Sequence, residues 1–165
     1  MIKNVKWIFV ICFTSSFFFS SFAGKESTTE GVVIGDSAPL FTLTTSNQQI
    51  VHLDELRGSY VVLSFWASYD AASRMQNALL NHAVASTKNV QMVSVSFDQY
   101  ESVFNETIKR DQLSTSAYVV GLAGPSSELY QQYQLSRGFR NYLLDERGVI
   151  IAKNVDASQL SSYIQ

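Results

Sequence analysis

The chain has 165 residues, with 12 Lys and Arg against 14 Asp and Glu, a formal net charge of −2, and a single cysteine. One cysteine excludes an internal disulfide, and the absence of a basic excess leaves no electrostatic footprint for nucleic acid. The length suits one domain with its own core.

Lys3 and Lys6 precede an apolar stretch from Trp7 to Phe19, and Ser21-Phe22-Ala23 then supplies a small-x-small triplet before Gly24. This layout predicts a secretory signal peptide over residues 1–23, cleaved after Ala23. A retained membrane anchor is the alternative; the run is shorter than the roughly 20 apolar residues of a spanning helix. Cys12 lies inside the apolar stretch, so cleavage removes it. A lipidated Cys12 is a weaker fit, since bulky Ile11 precedes it. Residues 24–165 carry ten basic and fourteen acidic side chains, a net charge of −4.

Residues 24–31 are polar and predict a flexible tether, with the domain spanning 32–165. Ala38-Pro39-Leu40-Phe41-Thr42-Leu43 and Gln49-Ile50-Val51-His52-Leu53 flank Thr-Ser-Asn turn residues and predict an N-terminal β-hairpin. Asp54 to Gly58 reads as a single helical turn that ends at the glycine. Tyr60-Val61-Val62-Leu63-Ser64-Phe65 is a nearly continuous β-branched and aromatic run, as expected of a central strand covered on both faces.

From Asp70 to about Ser86 the period becomes helical, with Met75, Ala78, Leu79 and His82 at three- and four-residue steps. Val90 to Ser96 returns to strand, and Val103, Phe104, Thr107 and Ile108 mark a second helix to about Asp111. Tyr118-Val119-Val120 predicts a short strand, and Gly124-Pro125-Ser126 punctuates before a helix through Leu129 and Tyr133. Asn141 to Leu144 and Val149 to Ala152 flank Asp145-Glu146-Arg147-Gly148 as a hairpin, and Asp156 caps a last short helix. Strands alternating with helices before a closing hairpin predict an α/β fold, a mixed central sheet with helices on both faces.

Several segments, in this order, resemble the TlpA-like envelope thioredoxins, the thiol-disulfide interchange branch of the thioredoxin superfamily. They are residues 38–43, 53–58, Val61-Val62-Leu63-Ser64-Phe65-Trp66-Ala67-Ser68, 94–98, and Asn141 to Asp145 with Gly148-Val149-Ile150. The resemblance implies a thioredoxin-like fold with an N-terminal hairpin extension. It also implies a Cys-x-x-Cys-Arg motif after the Phe-Trp-Ala segment, where this chain has Asp70, Ala71, Ala72, Ser73 and Arg74. Neither a carboxylate nor a hydroxyl forms a disulfide, so the redox-motif-equivalent positions Asp70 and Ser73 predict no thiol exchange. The family's cis-proline before the Asn-Tyr-Leu-Leu-Asp segment is matched by Phe139, with Arg140 next, and a trans loop is expected there.

Asp70 reads either as an N-cap of the helix that follows or as a general base or ligand. Trp66, Tyr69, Phe139 and Tyr142 read either as an exposed aromatic patch or, for Trp66 and Tyr142, as core. Trp66, Tyr69, Phe139 and Arg140 are the candidate groove residues. No catalytic residue, cofactor or metal is expected: His52 and His82 fall on separate elements without a ligand pair. The function expected is a non-catalytic module of the bacterial envelope that binds a peptide or envelope protein, with membrane contact only if the signal segment is retained. The alternatives are an oxidoreductase-related enzyme acting with a partner's thiol, a hydrolytic remnant using Asp70, and a structural part of an envelope complex.

Overall fold

A computed structural model describes residues 28–44, 48–113, 117–120 and 124–164, and no side chain of 117–120. The expected signal segment, Cys12, the start of the tether and the Thr45-Ser46-Asn47 turn lie outside the described residues. In chain order the elements are β1 (Thr42–Thr44), β2 (Ile50–His52), β3 (Tyr60–Trp66), α1 (Ala71–Ala85), β4 (Val90–Ser96), α2 (Glu101–Arg110) and β5 (Ala117–Val120). They continue with α3 (Glu128–Gln132), β6 (Asn141–Leu144), β7 (Ile150–Lys153) and α4 (Leu160–Tyr163).

β1 and β2 form the expected antiparallel hairpin, with Thr42 opposite His52, and a 3-10 turn over Leu53–Leu56 follows. The main sheet runs β5-β4-β3-β6-β7, so β3 is its centre. β3 pairs in parallel with β4 and antiparallel with β6. The β6–β7 turn closes through Gly148 N–H donating to Asp145 C=O at 2.9 Å, with Gly148 at φ +85°, where a side chain would be strained.

Side chains alternate across a strand, and β3 serves both faces. Val61, Leu63 and Phe65 join Val93, Val95, Tyr142, Leu144 and Tyr133 in one core layer, beneath the N-terminal segment and α3. Val62 joins Leu80 of α1, Met92, Leu143 and Leu160 in the opposite layer. Trp66, on that same face, packs with Phe104 of α2 and Leu113. Tyr133 donates its hydroxyl to Pro39 C=O at 2.7 Å and Tyr142 donates its own to Tyr133 C=O at 3.0 Å, which satisfies two buried phenols.

Two expectations need correction. The tether enters the fold earlier than its composition suggests: Gly31 N–H donates to Ser37 C=O at 3.0 Å and Ser37 N–H to Thr29 C=O at 2.9 Å. The chain then clamps β7 through Gly35 N–H to Ile150 C=O and Ile150 N–H to Asp36 C=O. In α1 the expected stripe is not the buried one, since Met75 is 62% and Leu79 48% exposed while Asn77, Leu80 and Asn81 are buried. The partner strand sets this phase: Trp66 Nε1 donates to Ser94 Oγ, and Ser94 Oγ to Asn77 Oδ1, both at 2.8 Å. The Asn77 carbonyl oxygen thus finds its donor inside although its Nδ2 is buried without a partner, and the Met75 thioether is left outside.

Candidate functional site

The site lies where chain leaves the carboxyl ends of the parallel strands β3 and β4, the usual location of sites in open α/β sheets. After β3, Ala67-Ser68-Tyr69 loops out and Asp70 starts α1. The first N–H groups of a helix have no partner within it. Asp70 Oδ1 accepts from Ser73 N–H at 2.8 Å, and Asp70 has the extended φ and ψ of an N-cap. Ser73 Oγ donates back to Asp70 C=O at 3.3 Å. The Ser73 N–H bond, helped by the Ser73 hydroxyl, holds the Asp70 carboxyl below its ordinary range, against a small opposing effect of burial. Asp70 therefore sits as the cap of α1.

Beneath this loop lies Asp98, which directly follows Phe97 after β4 and is 2% exposed. Its Oδ1 accepts from Ser68 N–H at 2.9 Å and from Ser68 Oγ at 2.5 Å. Its Oδ2 accepts from Ser96 Oγ at 2.7 Å. A buried carboxylate holding three donors fixes the Ser68 backbone, and so the direction in which Tyr69 and Asp70 emerge. A second tie crosses from α1 to the end of α2: Arg74 Nε and Nη2 meet Asp111 Oδ2 and Oδ1 at 2.7 and 2.6 Å. The Arg74 side-chain hydrogen bonds hold the Asp111 carboxyl low, again against burial.

The facing wall is Gly138-Phe139-Arg140, leading into β6. Gly138 has φ +109°, and its N–H donates to Leu135 C=O at 2.9 Å. Phe65 N–H donates to Arg140 C=O at 3.1 Å, which ties this loop to β3. Asn141 at its end is buried and clamps Val155, accepting from Val155 N–H at 2.7 Å and donating to Val155 C=O at 3.3 Å. Among the described residues no peptide bond is cis. Between the walls lies a pocket of about 240 Å³, lined by Asp70, Ser73 and Gln76 on one side and Phe139, Arg140 and Asn154 on the other.

The structure brings Tyr69, Asp70, Ser73, Phe139 and Arg140 together here. It does not bring Trp66. That indole is fully buried, 6.2 Å from the Phe104 ring, because it points to the α2 side of β3. Tyr142 is likewise core, 6.1 Å from Phe65. The aromatic patch is built from other residues: Phe139 lies 6.3 Å from Tyr69, 5.7 Å from Phe97 and 6.5 Å from Tyr130 between centroids. Phe97 and Tyr130 were not legible as site residues, although Phe97 and Asp98 stand at the carboxyl end of a parallel strand, which is a readable signal. His52 hydrogen-bonds Thr42 on the hairpin and His82 is exposed on α1. Among the described residues no three His, Cys, Asp or Glu side chains lie close enough to hold a metal ion.

Comparison with known proteins places this geometry. The family model described as AhpC/TSA family matches residues 34–153. A crystal structure of a thioredoxin-like protein from Parabacteroides distasonis is 40% identical, covers 82% of this chain and 97% of its own, and superposes with a TM-score of 0.72. A thiol-disulfide oxidoreductase from Bacteroides fragilis is 30% identical over 78% of this chain and 97% of its own, with a TM-score of 0.66. Thiol-disulfide oxidoreductase ResA of Bacillus cereus is 21% identical across 89% of this chain and 86% of that protein. The chain belongs to the AhpC/TSA family, with a thioredoxin-like fold and relatives named as thiol-disulfide oxidoreductases.

Proposed function

We propose that this protein is a member of its family without redox chemistry of its own, exported to the bacterial envelope, where its groove holds a segment of a partner protein. One observation carries this reading: the only cysteine of the chain is Cys12, and the cap and first turn of α1 hold Asp70 and Ser73 instead. Disulfide exchange needs an attacking thiolate and a resolving thiol. Asp70 and Ser73 occupy the electrostatic niche where a thiolate would be stabilised, the positive end of the helix dipole. Lys3, Lys6, the apolar run to Phe19 and Ala23 support export.

Affinity capture from envelope extract tests the groove. Wild type is expected to retain partners that a Phe139→Ala, Arg140→Ala double variant loses; equal capture by both refutes the reading. The names of the relatives favour a second reading, an oxidoreductase-related enzyme that works with a partner's thiol. Purified protein that reduces a disulfide substrate without an added thiol protein would establish redox activity of its own and reject the first reading.

A further inference from the structure

The two edges of the main sheet are finished differently. At β7 the N-terminal segment covers the outer side: Gly35 N–H donates to Ile150 C=O at 2.8 Å, Ile150 N–H donates to Asp36 C=O at 2.9 Å, and Ser37 forms an antiparallel bridge with Val149. Lys153 adds a charge at the end of that strand. β5 is the opposite edge and pairs with β4 alone, from Val93 opposite Ala117 to Ser96 opposite Val120, in unbroken register. Among the described residues no other backbone group bonds to it.

A strand paired on one side leaves alternate N–H and C=O groups directed outward, and such an edge takes up another strand. Proteins guard edges with charges, prolines, bulges or a covering segment. Ala117-Tyr118-Val119-Val120 has neither a charge nor a proline, and its pairing with β4 shows no bulge. The lack of charge extends past the strand, since no Asp, Glu, Lys or Arg stands from Gln112 to Ser127.

That neutrality points to one kind of strand. About a two-fold axis, the edge strand pairs antiparallel with its own copy, and the central residue lies directly opposite its counterpart. Any charge near the axis then meets its like, which is destabilising. A different partner would be matched by opposite charges on the edge, and β5 offers none. A self-pairing strand requires a neutral sequence, and β5 has one.

We infer that β5 pairs antiparallel with β5 of a second copy of this chain, joining two sheets into one across a two-fold axis. Growth stops at two copies, because Gly35 to Ser37 cover the edge at Val149 and Ile150. Four paired residues make a contact well below the roughly 800 Å² per partner of a stable complex, so the dimer dissociates on dilution.

The test uses protein purified from the envelope fraction of an expressing bacterium. Sedimentation velocity from about 1 μM to about 1 mM is expected to show a reversible passage from one copy to two. Ala117→Cys, Tyr118→Cys, Val119→Cys and Val120→Cys are then made singly with Cys12→Ser, so that each variant carries one thiol. Directly opposed residues have Cα atoms about 4.5 to 5.5 Å apart, within the reach of a disulfide. One residue along, the two copies separate by about 6.8 Å more in the strand direction, which takes them out of reach. Mild oxidation is therefore expected to cross-link two chains at either Tyr118→Cys or Val119→Cys, the central positions, at least about tenfold faster than at the other three. A single copy at every concentration, assemblies larger than two, a dimer that cross-links at neither central position, or equal cross-linking at all four positions overturns the inference.

Discussion

Replacing Asp70 with alanine isolates the energetics of the site from its function. In the folded protein Asp70 Oδ1 accepts from Ser73 N–H at 2.8 Å, and the substitution leaves that N–H to water. Loss of an N-cap costs about 0.5 to 2 kcal/mol, and the partial exposure of Asp70 argues for about 1 kcal/mol. For a domain of this size that is a fall of roughly 3 to 6 °C in Tm. Asp70→Asn keeps an acceptor and is expected to lose less than half as much. The pH dependence has a definite sign. A carboxyl whose folded pKa is depressed contributes stability that is present above its unfolded value of about 3.9 and is lost as pH falls through the folded pKa. The gap between wild type and Asp70→Ala is therefore expected to hold from pH 7 to about 5 and to narrow below about 4. Urea unfolding of wild type and both variants, followed by circular dichroism across that range, measures it. An Asp70→Ala protein as stable as wild type at pH 7, or a loss that persists unchanged at pH 3, would refute the capping account.

The remaining predictions address the frame around the site. Asp70→Cys combined with Ser73→Cys should close a disulfide on mild oxidation, since such bridges need Cα atoms about 4.4 to 6.8 Å apart; thiols that stay free in the folded variant would show that these positions are not a redox-motif pair. Asp98→Ala leaves three donors of Ser68 and Ser96 without their acceptor and should cost about 2 to 4 kcal/mol in urea unfolding. Faster amide exchange across residues 67–70 should accompany it, and unchanged exchange there would deny Asp98 its part in holding the loop. Phe104→Ala removes a ring 1% exposed against Trp66 and should cost about 3 to 5 kcal/mol, measured the same way and checked by a shift in tryptophan fluorescence.

Much of the fold was legible because local interactions specify it. β3 showed itself in an unbroken β-branched and aromatic run, and its central place follows from needing cover on both faces. Asp70 was readable as a cap because a short acceptor before a helical period answers N–H groups that every helix start leaves unmet; Asp156 caps as well, but it caps the 3-10 turn Ala157–Gln159 that leads into α4 and not α4 itself. The lack of a thiol beyond Cys12 is a matter of composition and needs no structure.

Contacts between distant segments decided the rest. Which face of α1 turns inward depends on Ser94, a strand away, accepting from Trp66 and donating to Asn77; apolar spacing alone selected Met75 and Leu79, which face solvent. Trp66 and Tyr69 are three residues apart, yet one is core and the other rim, because β3 ends between them and Asp98 pins the loop. Phe97, Tyr130 and Phe139 form one aromatic cluster although they come from a strand end, a helix and a loop. Periodicity reports only what neighbours along the chain must do, so strands, caps and the missing thiol could be read directly. Helix phase, the buried carboxylate and the aromatic cluster depend on which distant groups meet one another, and only the assembled sheet determines that.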